Sequence, residues 1–245
     1  MKAPVVFLPG LHATDAVWLP VIERLDGRVD PWIADLTLDD SISAMAARVL
    51  ADAPRERFAL AGHSMGGYVA LEIMRSAPER IERLALLNTQ ARPDTAEASE
   101  RRRALIELAQ AGRLDEVAER LIPVVFDSVE IVDPKLIALH RNMVRTVGAE
   151  AFLRQQRAIM DRIDSRPSLS AIHCPTLVLC GVHDLLTPPD RHEAMAAAIA
   201  GAKLVVVQGA GHFSPLERPY EVAFALANWL QVDAEQERPS AGRSG

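Results

Sequence analysis

Six short aliphatic runs, at 5–8, 29–34, 58–61, 84–87, 176–180 and 203–207, limit what this chain can fold into. Four of them are nearly all apolar, without polar alternation. A strand with one wet face alternates; a strand covered on both faces does not. Between the runs lie stretches with apolar residues at helical spacing, at 41–51, 66–77, 190–199 and 219–230. Pro78 ends the second. Pro219 suits the first turn of the last, where its missing N–H costs nothing. This alternation predicts an α/β fold: a mostly parallel sheet of about six strands flanked by helices.

One block breaks the rhythm. From 91 to 168 no strand-like run occurs, and four segments read as helices: 95–111, 114–125, 134–147 and 149–162. Such a block, inserted into a sheet protein, is expected at the mouth of the sheet as a lid; extra flanking helices are the plainer alternative. The expected organisation is a core of 1–90 and 169–232, a helical lid at 91–168, and a disordered polar tail at 233–245. A chain of 245 residues can bury a sizeable core without disulfide or metal.

Composition narrows the partners. A net charge of −6 argues against nucleic acid, because phosphate binding needs a basic face. Cys174 and Cys180 flank or lie within one strand-like segment, too far apart to bridge, and read as buried thiols. The apolar stretch near the start is too short for a signal peptide, and no segment is long enough to span a membrane. A cytoplasmic location, with no membrane partner, is the expectation.

Chemistry enters at Gly62-His63-Ser64-Met65-Gly66, a G-x-S-x-G pattern between a predicted strand and a predicted helix. Five letters alone are common by chance; their placement makes them informative. A tight turn there needs glycine on both sides and points the Ser64 hydroxyl out of the sheet's carboxyl edge, near a helix N-terminus. The hydroxyl needs a base. His212, in Gly209-Ala210-Gly211-His212-Phe213, follows the last strand-like run, and Asp184 follows the fifth. All three would leave the same edge, in the order Ser…Asp…His. Taken singly, His212 is an ordinary loop residue and Asp184 a turn cap. An oxyanion site would draw on the N–H of Met65 and the N–H of Leu11, in the loop after the first strand.

These motifs, with the stretches FLPG-L, GHSMGG, PTLVLCGVHD and GAGHFSPLERP and the closing helix through Trp229, resemble the α/β-hydrolase fold superfamily. The small lidded esterases and enol-lactone hydrolases are the nearest in kind. The resemblance implies a catalytic triad of Ser64, Asp184 and His212 and an oxyanion hole of Leu11 and Met65. Such chemistry needs no cofactor, and no metal is expected, because no pair of His has helical ligand spacing with a nearby carboxylate. The sequence departs from the pattern in three places. Pro9-Gly10 stands where His-Gly is usual, residues 35–40 replace a glycine-rich turn, and the hairpin that often precedes the first strand is absent.

The expected activity is cleavage of a small carboxylic ester, lactone or thioester through an acyl-enzyme. Other Ser-triad chemistry on the same fold is the alternative: a C–C hydrolase, a perhydrolase, a hydroxynitrile lyase, or a weakly catalytic small-ligand receptor. Ser64 argues against dehalogenases and epoxide hydrolases of this fold, which use Asp at that position. His12, Trp18, Phe126, Met143 and Phe213 are the candidate substrate contacts, with core packing the alternative for each. Arg141, Arg145, Arg154 and Arg157 recur at helical spacing. One of them could anchor a substrate carboxylate; a solvated face is the plainer reading.

Overall fold

A computed structural model describes residues 2–128 and 132–231. Six strands, β1 (Ala3–Leu8), β2 (Val29–Ile33), β3 (Phe58–His63), β4 (Ile81–Leu87), β5 (Thr176–Gly181) and β6 (Lys203–Val207), form one sheet in the order β2-β1-β3-β4-β5-β6. Every pairing is parallel. The central strands β3 and β5 are buried at every position, which explains their unbroken apolar sequence. Pro31 lies in β2, an outermost strand, where a missing ladder donor is tolerated.

The period of two along each strand sorts the core into two layers. Val5 and Phe7 face one side, with α1 (Leu19–Arg24) and α9 (Pro219–Leu230). Val6 and Leu8 face the other, with α2 (Ile42–Asp52), α3 (Met65–Ser76) and α7 (Pro189–Ala198). Strand order reverses between β1 and β3. In open parallel sheets the crevice at such a reversal, beyond the carboxyl ends, is where ligands bind.

Between β4 and β5 the chain inserts α4 (Ala96–Gln110), α5 (Leu114–Val125) and α6 (Pro134–Met160). Gly148, at φ +75°, interrupts α6, so this helix is two segments meeting at a non-helical residue. The insertion has a small core of its own, built on Leu108, Val117 and Phe152. A four-residue helix, α8 (Ser214–Glu217), follows β6. Cys180 is buried, whereas Cys174 is only half-buried, which corrects the expectation for that thiol. The tail at 233–245 lies outside the described residues. Among the described residues no helix is long and apolar enough to cross a membrane.

Candidate active site

Ser64 closes the turn from β3 into α3 with φ +53° and ψ −116°, a strained conformation for a residue with a side chain. The surroundings hold it there. Its N–H donates to the Leu87 carbonyl (2.9 Å), and its own carbonyl accepts from the Thr89 hydroxyl (2.8 Å). The flanking glycines are steric requirements. A Cβ on Gly62 would stand 2.4 Å from the Gly66 carbonyl oxygen, and one on Gly66 2.3 Å from that of Leu8. The loop after β1 presses equally close, since a Cβ on Gly10 would stand 3.0 Å from that of Ser64.

The three residues singled out by strand order meet. His212 Nε2 is 2.8 Å from Ser64 Oγ, and His212 Nδ1 is 2.9 Å from Asp184 Oδ2. A carboxylate only accepts, so Nδ1 carries the proton and Nε2 offers its lone pair to the serine hydroxyl. Asp184 is 2 % exposed. Burial opposes its charge, but the His212 ring and the surrounding donors outweigh burial and hold the carboxyl well below the usual range.

Those donors were not foreseen from the sequence. The Leu186 and Thr187 N–H groups donate to Asp184 Oδ1, each at 2.9 Å. The Thr187 hydroxyl (2.7 Å) and Asn88 Nδ2 (2.9 Å) donate to Oδ2. Asn88 Nδ2 also donates to the Gly211 carbonyl (3.1 Å), and Asn88 Oδ1 accepts from the Ser214 hydroxyl (2.5 Å). One side chain thus ties the end of β4 to the loops that carry Asp184 and His212. Its position directly after a central strand was the available signal.

His63, beside Ser64, points away from it into the core. Its Nε2–H donates to the His212 carbonyl (2.9 Å), and burial, followed by the nearby His212 ring, pushes its pKa down to about 3. A neutral ring therefore supports the backbone of His212. The Met65 N–H opens α3, where no carbonyl lies one turn back to receive it. The Leu11 N–H takes part in no hydrogen bond among the described residues.

A cavity of about 470 Å³ opens over Ser64 and His212, with Leu11 and Phe213 in its wall and residues of α4, α5 and α6 across from them. Of the five side chains expected to meet substrate, only Phe213 lines it. Trp18 is fully buried against Phe7, its ring centroid 5.0 Å away. His12 stacks on Phe152 at 4.0 Å, and Phe126 and Met143 are buried packing residues. These four are corrected: His12 and Trp18 were expected for their closeness to the motifs, and Phe126 and Met143 as apolar surface of the insertion, but all four are buried in packing and do not line the cavity. The cavity is lined instead by residues that sequence reasoning passed over, among them Tyr68, Leu105, His140 and Gln156.

None of the four arginines weighed as an anchor lines this cavity either. Arg141 pairs with Glu119, Arg145 with Asp115 and Arg157 with Asp40, all on the exposed side, while Arg154 donates to the Thr37 carbonyl. Among the described residues no group of three His, Cys, Asp or Glu could hold a metal ion.

The sequence pattern of the Alpha/beta hydrolase family matches residues 5–226. The chain belongs to this family. This alpha/beta hydrolase superimposes on an esterase from Thermogutta terrifontis, solved with malate bound, with a TM-score of 0.85 and 30 % identity, over 94 % of this chain and 90 % of that one. The enol-lactonase of Burkholderia xenovorans LB400 gives a TM-score of 0.85 at 26 % identity, over 94 % and 92 %. In sequence the hydrolase is 28 % identical to a candidate carbamate hydrolase, RutD, of Rhizobium rhizogenes, over 94 % of both chains.

Proposed function

We propose that this hydrolase cleaves a small carboxylic ester, or a lactone or thioester, through a Ser64–His212–Asp184 triad and an acyl-enzyme. The observation that carries the reading is the chain of contacts through one imidazole, 2.8 Å to Ser64 Oγ on one side and 2.9 Å to Asp184 on the other. His212 Nε2 takes the hydroxyl proton as Ser64 Oγ attacks the carbonyl carbon. Asp184 stabilises the imidazolium. The Leu11 and Met65 N–H groups receive the oxyanion, and each such donor contributes about 3 kcal/mol to transition-state stabilisation. The imidazolium returns the proton to the departing oxygen or sulfur. Water then attacks the acyl-serine by the same steps, and the acid leaves. The helical insertion acts as a lid over the cavity.

The full-length similarity to a candidate carbamate hydrolase favours a second substrate class for the same serine chemistry, a carbamate carbonyl. Turnover of p-nitrophenyl butyrate and of a p-nitrophenyl carbamate, by wild type and by Ser64→Ala, tests both. Loss of triad function costs on the order of 10⁴–10⁶-fold in kcat. Equal rates in the two proteins would remove Ser64 as nucleophile, and a carbamate preferred over the ester would move the reading to the second class.

A further inference from the structure

The charged residues of the active-site cavity are not balanced. Three arginines line it, Arg101 and Arg102 from α4 and Arg120 from α5, against one aspartate, Asp94. This excess of positive charge stands in a chain whose net charge is −6. Asp94 is itself spent. It accepts from Arg102 Nε (3.2 Å) and from the buried Arg162 Nη1 (2.9 Å), and those guanidinium groups outweigh burial and hold its carboxyl below the usual range. Arg102 is fixed further by Gln156 Oε1 (3.0 Å).

Arg101 and Arg120 are different. Among the described residues neither enters an ion pair or a hydrogen bond, although most arginines of the insertion do. Arg103 pairs with Glu100, Arg113 with Glu116, Arg141 with Glu119 and Arg145 with Asp115. The acids one turn before the two arginines are within electrostatic range but already engaged. Glu97, before Arg101, has its carboxyl held below the usual range mainly by its own backbone and the Thr95 side chain, with Arg101 a lesser influence. Glu116, before Arg120, is held by Arg113. Both arginines are exposed at the rim of Ser64's cavity, and neither guanidinium group has a carboxylate partner there. In the same wall the buried Gln156 Nε2 also has no partner among the described residues, a donor without an acceptor. Donor-only groups from separate helices converging on one reaction cavity suit an anion with several lone pairs, a carboxylate above all.

Resting on the hydrolase reading above, we infer that the substrate is an acidic ester, one whose acyl or alcohol part ends in a carboxylate that Arg101 and Arg120 receive across the cavity from Ser64. A guanidinium at the mouth of a cleft with low-dielectric walls also raises the local concentration of an anion, and salt weakens this. The pair are positioning residues: they hold the far end of the substrate and take no part in proton transfer.

Two matched pairs of esters test this. Monomethyl adipate against methyl hexanoate places the carboxylate on the acyl side; 3-carboxypropyl butyrate against butyl butyrate places it on the alcohol side. Wild type and the double variant Arg101→Gln/Arg120→Gln are compared by pH-stat titration. The acidic-over-neutral ratio of kcat/KM is expected to fall roughly tenfold in the double variant for one pair, mostly through KM, and partly to recover with Arg101→Lys/Arg120→Lys. In wild type the same ratio should fall with added NaCl, and in the glutamine variant it should not. A ratio that stays the same in both proteins for both pairs overturns the inference. Calorimetric binding of the same esters to Ser64→Ala protein reads the preference without turnover. A carboxylate preference there, with no hydrolysis by wild type above the Ser64→Ala level, would sink the esterase reading and spare the subsite. Equal binding of acidic and neutral esters would sink the subsite and spare the esterase.

Discussion

Replacing Asn88 by alanine is expected to damage stability and activity together, and the hydrogen bonds allow the damage to be apportioned. Asn88 is fully buried. Its removal strands the Gly211 carbonyl and the Ser214 hydroxyl, for which Asn88 is the partner described here. Each stranded buried group costs about 1–3 kcal/mol. The residue also sits at φ +47°, a region asparagine tolerates and alanine does not, which adds about 1–2 kcal/mol. The expected loss is therefore about 3–8 kcal/mol, large against the roughly 5–15 kcal/mol that holds a domain together. Asp184 loses only one of its donors, since Thr187 and two backbone N–H groups remain, so protein that stays folded keeps an ionised Asp184. Asn88→Asp separates the two effects. It preserves shape and backbone preference but sets a second carboxylate against Asp184 Oδ2, where the amide now stands at 2.9 Å. Two carboxylates that close share a proton, so Asp184 no longer faces His212 as a full anion, and kcat should fall more than in the folded fraction of Asn88→Ala. Urea unfolding gives the first quantity and ester turnover, normalised by active-site titration, the second. A loss under about 1 kcal/mol for Asn88→Ala would refute the premise that this network is dry and fully engaged.

Two further outcomes follow from charge. Asp184 has a folded-state pKa below its unfolded value, so its stabilising contribution is complete above about pH 4 and is lost as pH falls through the folded value. Denaturant titrations between about pH 5 and pH 2 should show that loss in wild type and a shallower one in Asp184→Asn; parallel curves would contradict it. Glutamine at Arg141, Arg145, Arg154 and Arg157, none of which lines the cavity, should leave KM for acidic and neutral esters within about twofold of wild type, three of them making exposed ion pairs worth about 0–1 kcal/mol and Arg154 a single bond to the Thr37 carbonyl. A rise in KM confined to acidic esters in that quadruple variant would transfer the anchoring role back to them.

The sheet was legible because burial on both faces leaves a mark that composition alone does not: β3 and β5 contain almost nothing polar. The grouping of Ser64, Asp184 and His212 was legible for a related reason. Each lies in the turn or loop that leaves a strand, and parallel strands deliver their ends to one edge. The same rule, applied to β4, would have flagged Asn88. The cavity wall was not legible. Trp18 and Met143 are apolar and adjoin the right segments, but which face of a helix turns inward depends on how the insertion seats on the core, and no local pattern in α6 encodes that. Gly148 was legible too: helices were expected on both sides of it, and the structure has two helical segments meeting at that non-helical residue. Arg101 and Arg120 differ from their neighbours only in what they fail to touch, a property absent from any linear reading.

One seam between insertion and core lies at the loop that bears His212. The Phe213 N–H donates to the Val125 carbonyl (3.0 Å), while Glu217 accepts from the Asp127 N–H (2.7 Å) and from the Gly211 N–H (2.9 Å). A Cβ on Gly211 would come within 2.7 Å of the Asp127 nitrogen, so the two backbones are in contact. The end of α5 is thus riveted one residue from the His212 imidazole, so a displacement there would shift that ring relative to Ser64. An insertion grafted from a relative would need this rivet copied before its shape mattered.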